Sequence, residues 1–183
     1  MPRIVTPLSM SLLAFLTAPV VAFGTYDLLA FQPHRAEMHA LLEGADPAER
    51  NPPESLRKVL HTAHSPAQVG SHVSRLLLAK LGPKEGGTLL LHIRGMLWYA
   101  LVNLHFSEAE REALFLALSP MGEGHFGYAA ASPSINGVAL HSVSVEQAAR
   151  LVTISKSPSG YLANPERLVQ SASRLAERAE NAP

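Results

Sequence analysis

A cluster of glycines is the first feature of the sequence that could do chemistry. Residues 122–127 read GEGHFG, with Gly122, Gly124 and Gly127 in six positions. Glycine allows positive φ angles, so such a stretch either brings the main chain close to a ligand or turns it sharply. It lacks the strand pattern before it and the Lys-Ser or Lys-Thr pair after it that a nucleotide-binding phosphate loop requires. A sharp turn and a ligand loop of another kind both stay open.

Histidine supplies the second candidate chemistry, metal binding. The chain has nine histidines and no cysteine, so thiolate zinc sites are excluded. His61 and His64 are three residues apart, with His72 nearby, which can place two imidazoles on one face of a helix. No acidic residue stands at a fitting spacing to complete a ligand set. The pattern therefore predicts solvated or hydrogen-bonded histidines and no metal ligands.

The composition excludes several classes of protein. Lys and Arg total 15 and Asp and Glu total 15 in 183 residues, so the chain lacks the basic excess typical of nucleic-acid-binding proteins. The absence of cysteine also excludes disulfides and thiolate nucleophiles. The length suits one domain with, at most, a small appendage.

Residues 1–31 are predicted to be a membrane anchor. No charged side chain occurs between Arg3 and Asp27, and an uncharged run of this length can cross the ~30 Å hydrocarbon core as a helix. Arg3, with no positive cluster behind the run, favours an N-terminus on the cytoplasmic side. The alternative is a cleaved signal peptide, because VVA at residues 20–22 fits a cleavage site. Either interpretation exports residues 32–183.

Helix start signals recur through residues 32–183. Five polar residues are followed by proline, by Glu or Gln three positions on, or by both: Asp46, Ser65, Ser107, Ser144 and Asn164. These are the patterns of N-caps and capping boxes, in which side chains satisfy the free amides of the first helical turn. They predict a mostly helical domain.

The most apolar internal stretch is TLLLHIRGMLWYALVNLHF, residues 88–106. Its apolar residues fall on nearly every side of a helix, which predicts a central buried helix; short strands and a second membrane span are the alternatives. Arg94 and two histidines argue against a second span. No alternating pattern persists long enough for a sheet, so the predicted fold class is all-α.

The second half of the chain resembles a known family. GEGHFGYAAAS, SVEQAARL and KSPSGYLANPER occur in the order found in bacterial peptidoglycan glycosyltransferase domains, glycosyltransferase family 51. In that family a Gly-x-Gly-x-Tyr-Gly turn precedes an alanine-rich helix, and a Lys-Ser-Pro-Ser segment precedes Tyr and Asn-Pro-Glu-Arg. Weaker likeness upstream, in SLRKVLHTA and PAQVGSHVSRLLLA, extends the resemblance over residues 37–177.

The resemblance implies a lysozyme-like, all-helical domain at residues 32–183 behind one N-terminal membrane helix. It implies the bacterial cytoplasmic membrane as the location, with most of the chain on the outer, periplasmic face. Family members polymerise a lipid-linked disaccharide precursor into glycan strands, and a divalent metal assists many of them. The implied partners are the lipid-linked precursor or a glycan strand, the membrane and, as a further candidate, a cell-wall synthase, and not nucleic acid.

The resemblance also implies site residues. The base that takes the proton from the acceptor sugar falls on Glu43, with Glu37 as the second candidate. Basic groups would stabilise the departing diphosphate as its charge develops. The implied substrate-binding positions are Arg75, Arg94, Gly122, Gly124 and Lys156.

Several residues that the family's reaction needs are replaced. Ala113 stands where the second glutamate belongs, and the adjacent Glu112 should face elsewhere, since one residue is about 100° of helix rotation. Ala117 and Gly95 replace an asparagine and a further glutamate, and the Ser-Thr and Gln-Gln pairs are absent. Two functions stay open. One is a glycosyltransferase with impaired catalysis, and the other is a non-catalytic protein that binds precursor, glycan or a synthase partner.

Overall fold

The computed structural model describes residues 7–182, and side chains from residue 15 to residue 182. Arg3, on which the predicted orientation depends, lies outside the described residues. The described chain is mostly helical and divides into two compact units, Met1–Met38 and His39–Pro183. The helical class predicted from the start signals is thus confirmed.

The helices at the N-terminus follow one another without a break. Their bounds are α1 (Pro7–Tyr26), a π-helical turn (Asp27–Phe31), a 3-10 turn (Gln32–His34) and α2 (Arg35–Glu43).

One helical run in this region, Phe15–Glu43, is 29 residues long and apolar enough to cross a membrane. Large apolar side chains on it, such as Phe15 and Val20, are exposed. No second helix among the described residues meets the same test of length and composition. The predicted N-terminal membrane helix agrees with this finding, and the alternative of a second span at residues 88–106 does not.

The second unit contains the remaining elements. Before the glycine stretch these are α3 (Pro47–Arg50), α4 (Glu54–Ala63), α5 (Pro66–Leu81), α6 (Thr88–His105) and α7 (Glu108–Leu118). A short antiparallel hairpin follows, made of β1 (Pro120–Gly122) and β2 (His125–Phe126). After it come α8 (Tyr128–Asn136), a 3-10 turn (Leu140–Ser142), α9 (Val145–Lys156), α10 (Pro158–Leu162) and α11 (Pro165–Glu180).

All five predicted helix starts are N-caps in the structure. Four of them form complete capping boxes, with both the side chain and the backbone of the cap bonded: Asp46, Ser65, Ser107 and Ser144. The Asn164 side chain accepts a hydrogen bond from the Arg167 amide at 3.0 Å. Each cap contributes about 1 kcal/mol, so the polar residues between the apolar runs determine where the helices begin.

The core of the second unit is built around α9. Its residues 148–149 and 151–154 are buried, and the apolar faces of α4 and α11 pack against it. Those two helices are strongly amphipathic, with buried positions spaced three or four apart, such as Leu56, Val59 and Leu60 on α4. A second layer joins α5 to α6 and α7.

The helix over residues 88–105 forms as predicted, but the prediction that it is central and buried is wrong. Only Trp98, Leu101 and Val102 on it are buried. Leu89 is 75% exposed and Met96 is 72% exposed. The reason is that α6 lies at the edge of the unit, with α5 as its main helical neighbour, so one apolar face is covered and the opposite one is not. Apolar composition alone cannot distinguish a helix that is buried within the protein from one whose second apolar face stays exposed.

The glycine stretch forms the sharp turn of a short two-stranded hairpin. The all-α prediction did not include this hairpin. Gly122 and Gly124 have φ angles of +89° and +79°, and Glu123 between them has +52°. A Cβ at Gly122 would also overlap the side chain of Leu162 on α10. The turn therefore needs glycine for its backbone angles and, at Gly122, for the close approach of a neighbouring helix.

A buried carboxylate joins this turn to α3. Glu49 is only 4% exposed, and its Oε2 accepts from the Asp46 amide at 3.1 Å within the capping box. Its Oε1 accepts from the Ala129 amide at 2.9 Å, in the first turn of α8. A Cβ at Gly127, where φ is +87°, would lie 2.8 Å from that Oε1. A negative charge at a helix N-terminus is favourable, and glycine leaves the space for it.

We expect Glu49→Ala to lower the free energy of unfolding by about 2–3 kcal/mol, because it leaves two backbone amides without their acceptor. Gln147→Ala is the matched control, since it removes the same half of a capping box on α9, where we expect about 1 kcal/mol or less. Urea unfolding of the detergent-solubilised chain, followed by the fluorescence of the single, buried Trp98, measures both. Equal losses in the two variants would contradict the bridging role of Glu49.

Candidate functional site

Three helices of the second unit, α5, α7 and α9, and the residue that follows α4 line a cavity of about 330 Å³, which we call the basic cavity. Its lining includes the cationic side chains of Arg75 and Lys156. It also includes the imidazoles of His64 and His72, the aromatic ring of Phe115 and the hydroxyl of Ser155. Among the residues that the structure describes, no Asp or Glu belongs to this lining. The cavity therefore suits an anion.

Helix geometry delivers these side chains to one place. Arg75 and His72 are three residues apart on α5, so they share a face. Lys156 is the last residue of α9, where a positive charge complements the helix dipole. The Tyr128 hydroxyl, in the first turn of α8, donates to Ser155 Oγ at 2.8 Å. Tyr128 is completely buried, and burial raises the pKa of its phenol, so its neutral hydroxyl remains the donor in this hydrogen bond. The Ser155 hydroxyl in turn donates to the Val152 carbonyl at 3.0 Å.

His64 is the most perturbed group in the basic cavity. It is 7% exposed, and its burial, followed by the charge of Lys156 and the nearby His72, lowers its pKa to about 4. Its ring lies 5.5 Å from that of Phe115 and 5.6 Å from that of His72, between ring centroids. Its Nε2 is buried and has no hydrogen-bond partner among the described residues. At neutral pH a neutral imidazole thus carries a polar atom that a ligand could satisfy.

His72 and Lys156 are two further nitrogen-bearing groups in the lining of the basic cavity. His72 Nδ1 donates to the Gln68 carbonyl at 2.8 Å, which leaves Nε2 as the free ring nitrogen. Partial burial lowers the pKa of Lys156, and the charge of Arg178 lowers it further. A bound negative charge would favour the charged form of Lys156 and so act against both of these causes.

A second cavity, of about 940 Å³, lies between α5 and α6, and we call it the apolar cleft. Its lining is dominated by hydrocarbon and includes Leu78, Leu91, Met96 and Tyr99. Arg75 lines both the apolar cleft and the basic cavity. The two sites are therefore neighbours, and one guanidinium is available to both.

Arg94, the other predicted basic residue, also lines the apolar cleft. Its Nη1 donates to the carbonyl oxygens of Pro83, at 3.4 Å, and Glu85. These two residues belong to the loop between α5 and α6, so Arg94 holds that loop in place. The structure brings Arg75 together with Lys156 in one cavity and with Arg94 in the other.

The predicted glycines and carboxylates lie elsewhere. Gly122 and Gly124 line neither cavity, although Ser119 and Pro120 just before them line the basic cavity. Glu43 is exposed at the end of α2 and lines neither cavity. Glu37 is exposed and belongs to the N-terminal unit.

Residues 112 and 113 lie on α7, outside the lining of the basic cavity. Ala113 is buried and puts no acid where the family has a glutamate. Glu112 turns to α4, where its Oε1 accepts from His61 Nε2 at 2.6 Å, and it does not line the basic cavity. Because Ala113 does not line the basic cavity either, the different orientation of Glu112 relative to the family's catalytic position stays a prediction.

The divalent metal that the resemblance implies does not fit the basic cavity. A hard cation such as Mg²⁺ takes oxygen ligands, chiefly carboxylates, whereas the charged groups in the described lining are Arg75 and Lys156. Two positive side chains would repel a metal ion and would themselves neutralise an anion. We therefore derive no role for a metal there.

Sequence reasoning missed His64 and Ser155 as site residues. His64 was grouped with His61 because they are three residues apart, but α4 ends at Ala63, and the extended backbone at His64 sends the two rings to different neighbours. Ser155 directly precedes Lys156, the first residue of the Lys-Ser-Pro-Ser segment. Its place next to that segment is the feature of the sequence that could have indicated it.

Comparison of the chain with models of known protein families finds no match, and a search of curated proteins finds none either.

The pKa of His64 predicts how stability depends on pH. The unfolded chain takes up a proton near pH 6.5, whereas the folded chain resists protonation until about pH 4, so the unfolded state binds more protons in between. Stability should fall as the pH drops from 6.5 to 4, by an amount on the order of 2 kcal/mol from this residue. Urea titrations at several pH values measure the slope.

His64→Phe keeps a ring beside Phe115 and should flatten the pH dependence between pH 6.5 and 4. The exposed His141 provides the control, and His141→Gln should leave the slope unchanged. A wild-type slope retained in His64→Phe would contradict the assignment.

Proposed function

We propose that this chain is a membrane-anchored, transglycosylase-like protein that binds a lipid-linked diphosphate sugar precursor and no longer polymerises it. The observation that carries the proposal is the position of Arg75, which lines both the basic cavity and the apolar cleft. A lipid-linked precursor has the same two-part character, since a diphosphate joins its sugar to a long hydrocarbon chain.

The basic cavity suits the diphosphate. Arg75 can donate two parallel hydrogen bonds to phosphate oxygens, and Lys156 contributes a compact positive charge. The buried Nε2 of His64, which has no hydrogen-bond partner among the described residues, adds a polar group that discriminates by hydrogen bonding. Because the cavity is partly withdrawn from water, these interactions are stronger than they would be at an open surface.

The apolar cleft suits the hydrocarbon chain. Its lining continues onto the uncovered face of α6, where Leu89, Met96 and Leu104 are exposed. An exposed apolar patch of this kind marks a surface for a partner or a membrane. The N-terminal helix is long and apolar enough to span a bilayer. On this proposal the membrane covers the exposed apolar residues of α6 and contains the lipid substrate.

The lack of a positioned base argues against polymerisation. Glycosyl transfer needs a carboxylate within reach of the acceptor hydroxyl, and its loss costs about 10²–10⁴ in rate. Glu49, which is buried near the glycine turn, uses both oxygens to accept backbone amides. The described lining of the basic cavity holds no acid. Glu85 in the lining of the adjoining apolar cleft is exposed, and so are Glu43 and Glu37.

The resemblance to family 51 supports the choice of ligand. Its motifs supply the turn at residues 122–127 and the Lys156 segment, and Lys156 lines the basic cavity. On this proposal the domain is lysozyme-like and lies on the periplasmic face of the bacterial cytoplasmic membrane. Bound precursor or glycan would then be presented to a cell-wall synthase.

The test is an assay of the full detergent-solubilised chain with fluorescent lipid-linked disaccharide precursor. We expect saturable binding and no glycan polymer. Arg75→Gln and Lys156→Gln should each weaken binding by about ten- to a hundredfold, because each removes charge-assisted hydrogen bonds of about 1.5–3 kcal/mol. Lys80→Gln, on α5 but outside both cavity linings, is the matched control.

Two results would overturn the proposal. Polymer that disappears in Glu43→Gln or Glu37→Gln would make the protein an active glycosyltransferase. An absence of saturable binding, or binding that is equally strong in the Arg75, Lys156 and Lys80 variants, would remove the precursor as its ligand.

A further inference from the structure

A group of metal-ligating side chains lies outside the two cavities. His61 is on α4, and Glu108 and Glu112 are one turn apart on α7. One potential ligand atom from each of the three lies within 4.8 Å of the other two. None of the three residues lines the basic cavity or the apolar cleft.

The pair at the centre of this group is close and partly protected from water. His61 Nε2 lies 2.6 Å from Glu112 Oε1, with the Glu112 side chain 12% exposed and that of His61 49% exposed. Glu108 is exposed and completes the triangle. The group thus has a buried side, formed by Glu112, and an open side from which an ion or water can enter.

Charge makes a cation favourable at this point. Carboxylates four residues apart on one helix face repel each other, and the only basic group in the triangle, His61, can carry at most one positive charge. A divalent ion balances both carboxylates while the imidazole stays neutral. For the imidazole to bind through Nε2 and stay neutral, the proton that now bonds to Glu112 would be transferred to Nδ1, and the Nε2 lone pair would take its place as a ligand.

We propose that His61, Glu108 and Glu112 form a zinc site. Zinc accepts imidazole nitrogen and carboxylate oxygen at about 2.0–2.2 Å in a tetrahedral arrangement. Three protein ligands leave the fourth position to water on the open side. Among first-row divalent ions an imidazole-containing site also prefers zinc to manganese or iron(II), and the group lacks the larger number of oxygen ligands that calcium requires.

The site would tie together two walls of the basic cavity. His61 is three residues before His64 on the chain, and Glu112 is three residues before Phe115 on α7; both of the later residues line the cavity. Zinc at His61 and Glu112 would therefore fix α4 against α7 one turn away from the anion site. The zinc site stands on its own geometry and does not depend on which ligand the basic cavity binds.

The test is titration of the full metal-free chain with Zn²⁺ and with Co²⁺, whose visible spectrum reports tetrahedral coordination. We expect one equivalent of tightly bound metal and an increase in Tm with zinc. His61→Gln, Glu112→Gln and Glu108→Gln should each weaken zinc binding by at least about tenfold. Glu108→Gln is decisive, because it leaves the His61–Glu112 hydrogen bond intact and therefore separates a metal site from a simple ion pair.

Glu166→Gln is the matched control, since Glu166 is likewise an exposed acid in the first turn of a helix, α11. It should leave zinc affinity unchanged. An absence of binding, affinity that is equal in Glu108→Gln and the wild type, or loss of binding only in a His64 variant would each overturn the proposal.

Discussion

The arrangement of the second unit depends on one buried carboxylate, that of Glu49. One of its oxygens accepts a hydrogen bond from the Asp46 amide and completes the α3 capping box. The other accepts from the Ala129 amide in the first turn of α8. The glycine at position 127 is needed because any side chain there would meet that oxygen. The next residue, Tyr128, then reaches Ser155 in the wall of the basic cavity. One carboxylate thus links α3 to the first turn of α8, and the Tyr128 hydroxyl in that turn bonds to a residue of the candidate site.

The candidate site is a junction between a charged and an apolar space. Neither space is unusual alone, since surface grooves lined by hydrocarbon and small basic cavities are both common. On the proposed function, their meeting at Arg75 would select a ligand with a charged head and a hydrocarbon tail. Burial lowers the pKa of His64 to about 4, so at neutral pH this imidazole adds no positive charge to that of Arg75 and Lys156.

Much of the fold could be predicted from the sequence, because helix starts are local. The caps at Asp46 and Ser144 require only residues within four positions. The exposure of α6 could not be predicted, since it depends on which neighbours pack against an apolar helix. The pairing of His61 with Glu112 joins residues 51 positions apart, so spacing along the chain could not reveal it. Arg75 and Lys156 were predicted from the resemblance, whereas His64 emerged only from burial.

The most direct test of the account is to compare three ligands on the same full chain: a prenyl diphosphate, the corresponding prenol and inorganic diphosphate. If one molecule occupies both spaces, the prenyl diphosphate should bind far more tightly than either fragment, and Arg75→Gln should remove most of that advantage. If the prenol or the inorganic diphosphate binds as tightly as the prenyl diphosphate, the two spaces do not serve one ligand and the account is wrong.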